Sequence, residues 1–145
     1  MLDETLIRTL STLASGEHAL EVGLENIEQF WLKASFELIP YHNKTKSLYI
    51  LSGVEEIQRH LQDHEITLTS MLNSEYISGI QSKVENLKNK LSYISDILDQ
   101  WVDCQQKWCF LEPIFSQYEV QRQFASQTTK FRVIDRRWRG ISFFR

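Results

Sequence analysis

The stretch ISGIQSKVENLKNKLSYISDILDQWVDCQQKWCFLEPIF, residues 77–115, decides how this chain folds. Within it Ile77, Ile80, Val84, Leu87, Leu91, Ile94, Leu98, Trp101, Gln105 and Trp108 follow one another at alternating steps of three and four. That is the spacing of one helical stripe. Nine of the ten positions are apolar, and Gln105 is the exception. The spacing predicts a continuous helix from about Glu75 to Glu112, about 55 Å long at the rise of an α-helix. That is roughly twice the diameter of a compact globule of this chain length, so the element reads as a strut that other helices must cover. Its predicted end lies at Leu111-Glu112-Pro113-Ile114-Phe115, because proline lacks a backbone donor and disfavours helical geometry in the residue before it.

Outward from the strut, the upstream pattern is also helical. Leu6, Leu10 and Leu13 recur at helical steps over residues 2–13, with Gly16 offering a stop, which predicts a short first helix. A second is predicted from Glu17 to about Ala34, with Leu20, Leu24, Ile27 and Trp31 on one face and Glu21, Glu25 and Glu28 turned away. Between Ser35 and Leu51 the period changes. Phe36 and Leu38 alternate with Glu37, Leu48-Tyr49-Ile50-Leu51 is strand-like, and the polar segment 42–47 separates them, which predicts a small β-hairpin. Ser52 and Glu55 have capping-box spacing and open a helix at Gly53 or Val54, carrying Val54, Ile57, Leu61, His64, Leu68 and Met71 to about Leu72. Asn73-Ser74 breaks it, and Ser74 is placed to cap the strut. The brief connection predicts an antiparallel helix pair. After Pro113, Ser116 and Glu119 repeat the capping spacing before a short helix through Val120 and Phe124. Thr128 or Thr129 then caps a last helix bearing Phe131, Ile134, Trp138 and Ile141, with Phe143-Phe144-Arg145 beyond it. The fold class is all-α: an elongated helical bundle with one long central helix and a small β-hairpin, organised as 1–73, 74–115 and 116–145.

The 145 residues are the length of one domain, enough to bury about two thirds of the unfolded surface. With 42% hydrophobic and 24% charged residues, five glycines and two prolines, the composition is that of a folded helical protein. No apolar run reaches bilayer-spanning length, and Met1-Leu2-Asp3-Glu4 is acidic where a secretory leader is basic. Cys104 and Cys109 read as reduced cytosolic thiols. The net charge is −3, but the last sixteen residues carry Lys130, Arg132, Arg136, Arg137, Arg139 and Arg145 against Asp135, a local +5 that leaves −8 on the first 129. Such a segment suits an acidic partner or nucleic acid. The solvated helix face is favoured over both, since the intervening aromatics fall at core spacing.

Candidate chemistry is sparse. His60 and His64, beside Asp63, have the i, i+4 spacing that brings two imidazoles to one zinc ion. Leu61 stands where a zinc protease places its general base, and His64 lies on the apolar stripe, so a packed histidine is favoured. The five glycines are scattered, and none begins a phosphate-cradling loop. Asp96, Asp99 and Asp103 recur at helical steps as solvated charges. Neither cysteine has a histidine nearby in sequence for nucleophilic activation. Trp101, Trp108, Phe115, Phe131 and Trp138 would suit base stacking, but their stripe spacing favours core or interface anchors. No catalytic, cofactor or metal residue is expected.

The motif series Trp101, Gln105, Trp108, Leu111-Glu112-Pro113-Ile114-Phe115, then Phe131, Val133, Asp135 and Trp138-Arg139, resembles the linker region of dynein heavy chains. Upstream, Trp31, Phe36-Glu37-Leu38-Ile39-Pro40-Tyr41, Tyr49-Ile50-Leu51-Ser52-Gly53-Val54-Glu55-Glu56-Ile57-Gln58 and Leu61-Gln62-Asp63-His64 look like the preceding part of that region in the same order. Three departures stand out. Val133-Ile134-Asp135 has one residue more between Val and Asp, Leu87 stands where Trp is common, and Ile66-Thr67-Leu68-Thr69-Ser70-Met71 replaces a Lys-Thr-Gln-Thr-Met-like run. The intact Leu-Glu-Pro-Ile-Phe leans towards axonemal chains. The resemblance implies a mechanical arm of a cytoplasmic, cytoskeletal motor in the cilium or axoneme. Such an arm lies across the ATPase ring of the same heavy chain and acts with other dynein subunits and, indirectly, microtubules. It carries no nucleotide site, and binds neither nucleic acid nor membrane. It also implies that the chain is a fragment, a truncated gene model or a remnant. The other reading of the same stripes is a stand-alone helical protein-protein interaction module.

Overall fold

A computed structural model of the chain describes residues 3–41 and 48–142. The polar segment 42–47, Met1-Leu2 and Phe143-Phe144-Arg145 lie outside the described residues. In chain order the elements are α1 (Glu4–Lys33), β1 (Glu37–Tyr41), β2 (Leu48–Ser52), α2 (Val54–Leu72), α3 (Gln81–Phe115), α4 (Tyr118–Gln123) and α5 (Ala125–Ser142). The all-α architecture, with one long helix and one two-stranded hairpin, is as the sequence predicts. The chain divides into two compact units, Met1–Ser35 with Glu55–Asp96, and Phe36–Val54 with Ile97–Arg145.

In the first unit, α1 is one helix where a break at Gly16 is predicted. The glycine answers a packing requirement instead. A Cβ at Gly16 would lie 2.5 Å from the Tyr76 ring, and one at Gly23 would lie 2.8 Å from the Met71 methyl. Both glycines let another side chain rest on the α1 backbone, which outweighs the modest cost of glycine inside a helix. Asp3 caps the start by accepting from the Thr5 amide at 3.2 Å. Leu24 and Ile27 of α1, Leu61, Leu68 and Met71 of α2, and Ile80, Val84 and Leu91 are buried. Leu6, Leu10 and Leu13, at the other end of α1, are exposed.

The long helix starts at Gln81, six residues after the predicted Glu75. Ser74 caps a turn and not the helix, its Oγ accepting from the Tyr76 amide at 3.2 Å, and the Ile80 amide donates to the Ile77 carbonyl at 3.0 Å. This local hydroxyl bond offers the backbone an alternative to helix. The predicted stop at Pro113 is also displaced, since α3 runs through Pro113 and ends at Phe115. Proline cannot donate there, but the helix continues for two more residues and the Ser116 amide reaches the Glu112 carbonyl at 3.0 Å. Ile80, Val84, Leu91, Leu98 and Trp108 of the predicted stripe are buried, whereas Ile94 is 36% exposed.

In the second unit, β1 and β2 pair antiparallel with Leu38 opposite Leu51 and Tyr41 opposite Leu48. Gly53, at φ +66°, turns the chain from Ser52 into α2, a left-handed conformation suited to glycine. The predicted caps after Pro113 are displaced. Gln117 is the N-cap of α4 and makes no side-chain cap bond, while the Ser116 hydroxyl donates to the Glu112 carbonyl at 2.8 Å. Thr128 and Thr129 lie inside α5, donating to the carbonyls of Phe124 and Ala125 at 2.8 and 3.0 Å. Hydroxyls of this kind serve equally as caps or as i−4 donors within a helix. Leu48, Trp108, Phe131 and Trp138 are the buried cluster of this unit, with Tyr41, Trp101, Cys109, Leu111 and Phe115 packed against it.

Candidate functional site: a tryptophan and carboxylate junction beneath the hairpin

The last turns of α3 present Trp101, Gln105, Trp108, Glu112 and Phe115 at steps of four, three, four and three, so a single face carries them all. α5 presents Phe131, Asp135, Trp138 and Arg139. The Trp108 ring centroid lies 4.8 Å from Tyr41 and 6.1 Å from Trp138, and Trp101 lies 4.9 Å from Trp138. Phe115 and Phe131 stack at 4.9 Å. The aromatic residues are therefore anchors of a core, as their spacing predicts, and not a base-stacking platform.

Polar bonds tie this cluster to each element. The Trp108 indole N–H donates to Asp135 Oδ1 at 2.9 Å, and Arg139 Nε donates to both Asp135 oxygens at 2.9 and 3.0 Å. Asp135 thus joins α3 to α5, while the Arg139 guanidinium sits 5.6 Å from the Trp108 ring centre. Glu112 accepts from the Tyr41 hydroxyl at 2.9 Å and from the Ser116 hydroxyl at 3.1 Å. Burial first, then the hydrogen bond to Glu112, pushes the Tyr41 phenol up to about 12, so it remains a neutral donor. Burial, then Glu112, also raises the Cys109 thiol, which disfavours the thiolate needed for nucleophilic attack. The indole N–H groups of Trp101 and Trp138 are buried without an acceptor among the described residues.

Gln105 explains its own presence in an apolar stripe. Its amide oxygen accepts from the Leu51 N–H and its amide nitrogen donates to the Leu51 carbonyl, both at 2.9 Å. It pairs with the outer edge of β2 as a neighbouring strand would. We expect Gln105→Ala to lower stability by about 1–2 kcal/mol, since two half-buried backbone groups lose their partner. Amide exchange should show it as faster exchange at Leu51, with α2 amides unaffected.

His60 and His64 pack against α1 within the first unit, as the place of His64 on the apolar stripe predicts. The Trp31 indole N–H donates to His64 Nδ1 at 2.9 Å, and Phe30 packs 4.5 Å from His60 and 5.0 Å from His64. An accepting Nδ1 requires the proton on Nε2, so the neutral ring has no lone pair left for a metal. Among the described residues no group of three His, Cys, Asp or Glu side chains could hold a metal ion. Asp96, Asp99 and Asp103 are exposed, and Asp103 pairs with Lys107 at 2.7 Å.

Burial chiefly, and His60 next, lower the His64 pKa, with Asp63 opposing. Its folded-state pKa is therefore below the unfolded value of about 6.5. The neutral ring stabilises the fold fully above that value, and this contribution is lost as pH falls from about 6.5 through the lowered native pKa. Denaturation midpoints read by Trp31 fluorescence should drop over that window, and His64→Gln should flatten the drop.

A helical protein whose second unit is pinned by an aromatic and carboxylate cluster is the class that this geometry defines. The family model described as dynein heavy chain, N-terminal region 2, matches residues 1–143, and the chain belongs to the dynein heavy chain family. It is 33% identical over 135 residues to dynein axonemal heavy chain 6 of Homo sapiens, 32% to dynein axonemal heavy chain 3 of Mus musculus and 31% to dynein axonemal heavy chain 1 of Rattus norvegicus. In each case the match covers 93% of this chain and 3% of the relative. Seven of the residues that carry the resemblance, Trp101, Gln105, Trp108, Glu112, Asp135, Trp138 and Arg139, lie at this junction. What the sequence did not reveal is their pairing with Tyr41 and Leu51. The only signal was a glutamine where the stripe called for an apolar residue.

Proposed function

We propose that this chain is a segment of the mechanical linker of an axonemal dynein heavy chain, divided as 1–73, 74–115 and 116–145. The junction around Trp108 carries the reading. Charge-assisted and aromatic contacts there bind a long helix to both a hairpin and a second helix, which suits transmission of displacement without internal slippage. On this reading the ATPase ring of the same heavy chain supplies the free energy, microtubules are the track, and the segment has no catalytic activity of its own. It works with other dynein subunits in the cytoskeleton of the cilium. Coupling then resides in contacts that differ between two states of the arm.

The test places this segment in a full-length axonemal heavy chain in exchange for the matching residues. The unmodified segment should support microtubule gliding, whereas Trp108→Ala should slow gliding while ring ATP hydrolysis continues. Unchanged gliding per ATP hydrolysed would refute the mechanical role. Among the described residues no helix is long and apolar enough to cross a membrane.

A further inference from the structure

Two helix flanks remain bare and match one another. On α1, Glu21, Glu25, Glu28 and Leu32 follow at steps of four, three and four. On α5, Lys130, Ile134, Arg137 and Ile141 follow at the same steps. All eight side chains are exposed, Leu32 at 76% and Ile134 and Ile141 at 51% each. None of the five charged members makes an ion pair among the described residues, and the acid on α5, Asp135, is engaged by Trp108 and Arg139. The units differ in the same sense. The first carries thirteen acidic against six basic residues, and the second six against ten, or −7 and +4.

We propose that the α5 flank is a docking surface for a second copy of this chain, which presents its α1 flank side by side and parallel. Equal spacing then sets Lys130 against Glu21, Arg137 against Glu28 and Ile141 against Leu32, with Ile134 beside the methylenes of Glu25. The pairs repeat every seven residues, the repeat that keeps one seam between two helices. A nucleic acid would leave both isoleucines and Leu32 bare, and so fits less well. Because the two flanks are different surfaces, the contact is heterologous and extends head to tail from copy to copy. This inference is independent of the mechanical reading above.

Sedimentation velocity on the whole chain tests it. The unmodified chain should grow in mass with concentration and lose this growth at high salt. Two variants decide the matter, Lys130→Glu with Arg137→Glu, and Glu21→Lys with Glu28→Arg. Each alone sets like charge against like and should associate at least about ten-fold more weakly. Mixed in equal amounts, the two should regain association, since each then offers the flank that the other needs. Ile134→Ser with Ile141→Ser should weaken association without changing its salt dependence. The proposal is overturned if the unmodified chain stays monomeric, if either charge variant associates as tightly as the unmodified chain, or if the mixture fails to recover. Circular dichroism melts of the variants should match the unmodified chain, as all six positions are exposed.

Discussion

Trp108→Ala is expected to remove about 3–5 kcal/mol of stability, the range for truncating a large buried aromatic side chain to alanine. Trp108 is 2% exposed and is among the largest fully buried side chains. Its loss would strip contacts from Tyr41, Trp138 and Arg139 together, and take one donor from Asp135. Because a folded domain is stable by only about 5–15 kcal/mol, such a loss should unfold much of the second unit near body temperature. Hydrogen exchange should show α5 and hairpin amides losing protection first. Trp108→Phe separates the two contributions. It keeps most of the ring packing, loses the bond to Asp135, and should cost about 1 kcal/mol. If Trp108→Ala cost no more than Trp108→Phe, the ring would not be the centre of this cluster.

Gly16→Val tests the first unit. A side chain at this position meets the face of the Tyr76 ring at 2.5 Å, closer than carbon atoms tolerate. Valine is a somewhat better helix former than glycine by a few tenths of a kcal/mol. The clash should prevail, with a net loss of about 1–3 kcal/mol from overpacking. Had Gly16 been a helix stop, the same substitution would instead extend helix and raise ellipticity. A double-mutant cycle with Tyr76→Ala discriminates between these outcomes, since removing the ring should recover most of the loss. Melts with no coupling between the two positions would show that the ring does not rest on Gly16.

Particular residues show which parts of the fold could be read from sequence. The stripe from Ile80 to Trp108 was legible because a regular row of large apolar side chains has one low-energy solution, a helix with that row covered. The hairpin was legible because its period changed from helical to alternating. Helix ends were not. A glycine that stops a helix and a glycine that admits a neighbouring ring look the same in sequence, so Gly16 reads as punctuation there. A hydroxyl that caps and one that bonds back to the preceding turn also look the same, which displaced the starts around Ser74, Ser116, Thr128 and Thr129. Leu6, Leu10 and Leu13 repeat at helical steps just as Leu24 and Ile27 do, yet only the latter two are buried.

By itself, the sequence determined local conformation and which face of each helix is apolar, because those depend on neighbours within a few residues. It also carried the family resemblance, in motifs whose order survives without knowledge of their contacts. Only the tertiary structure decided the polar partners: Gln105 with Leu51, Glu112 with Tyr41, Asp135 with Trp108, and His64 with Trp31. Hydrogen bonds between residues 27 to 71 positions apart need distance and direction met together, and no periodicity along the chain encodes either.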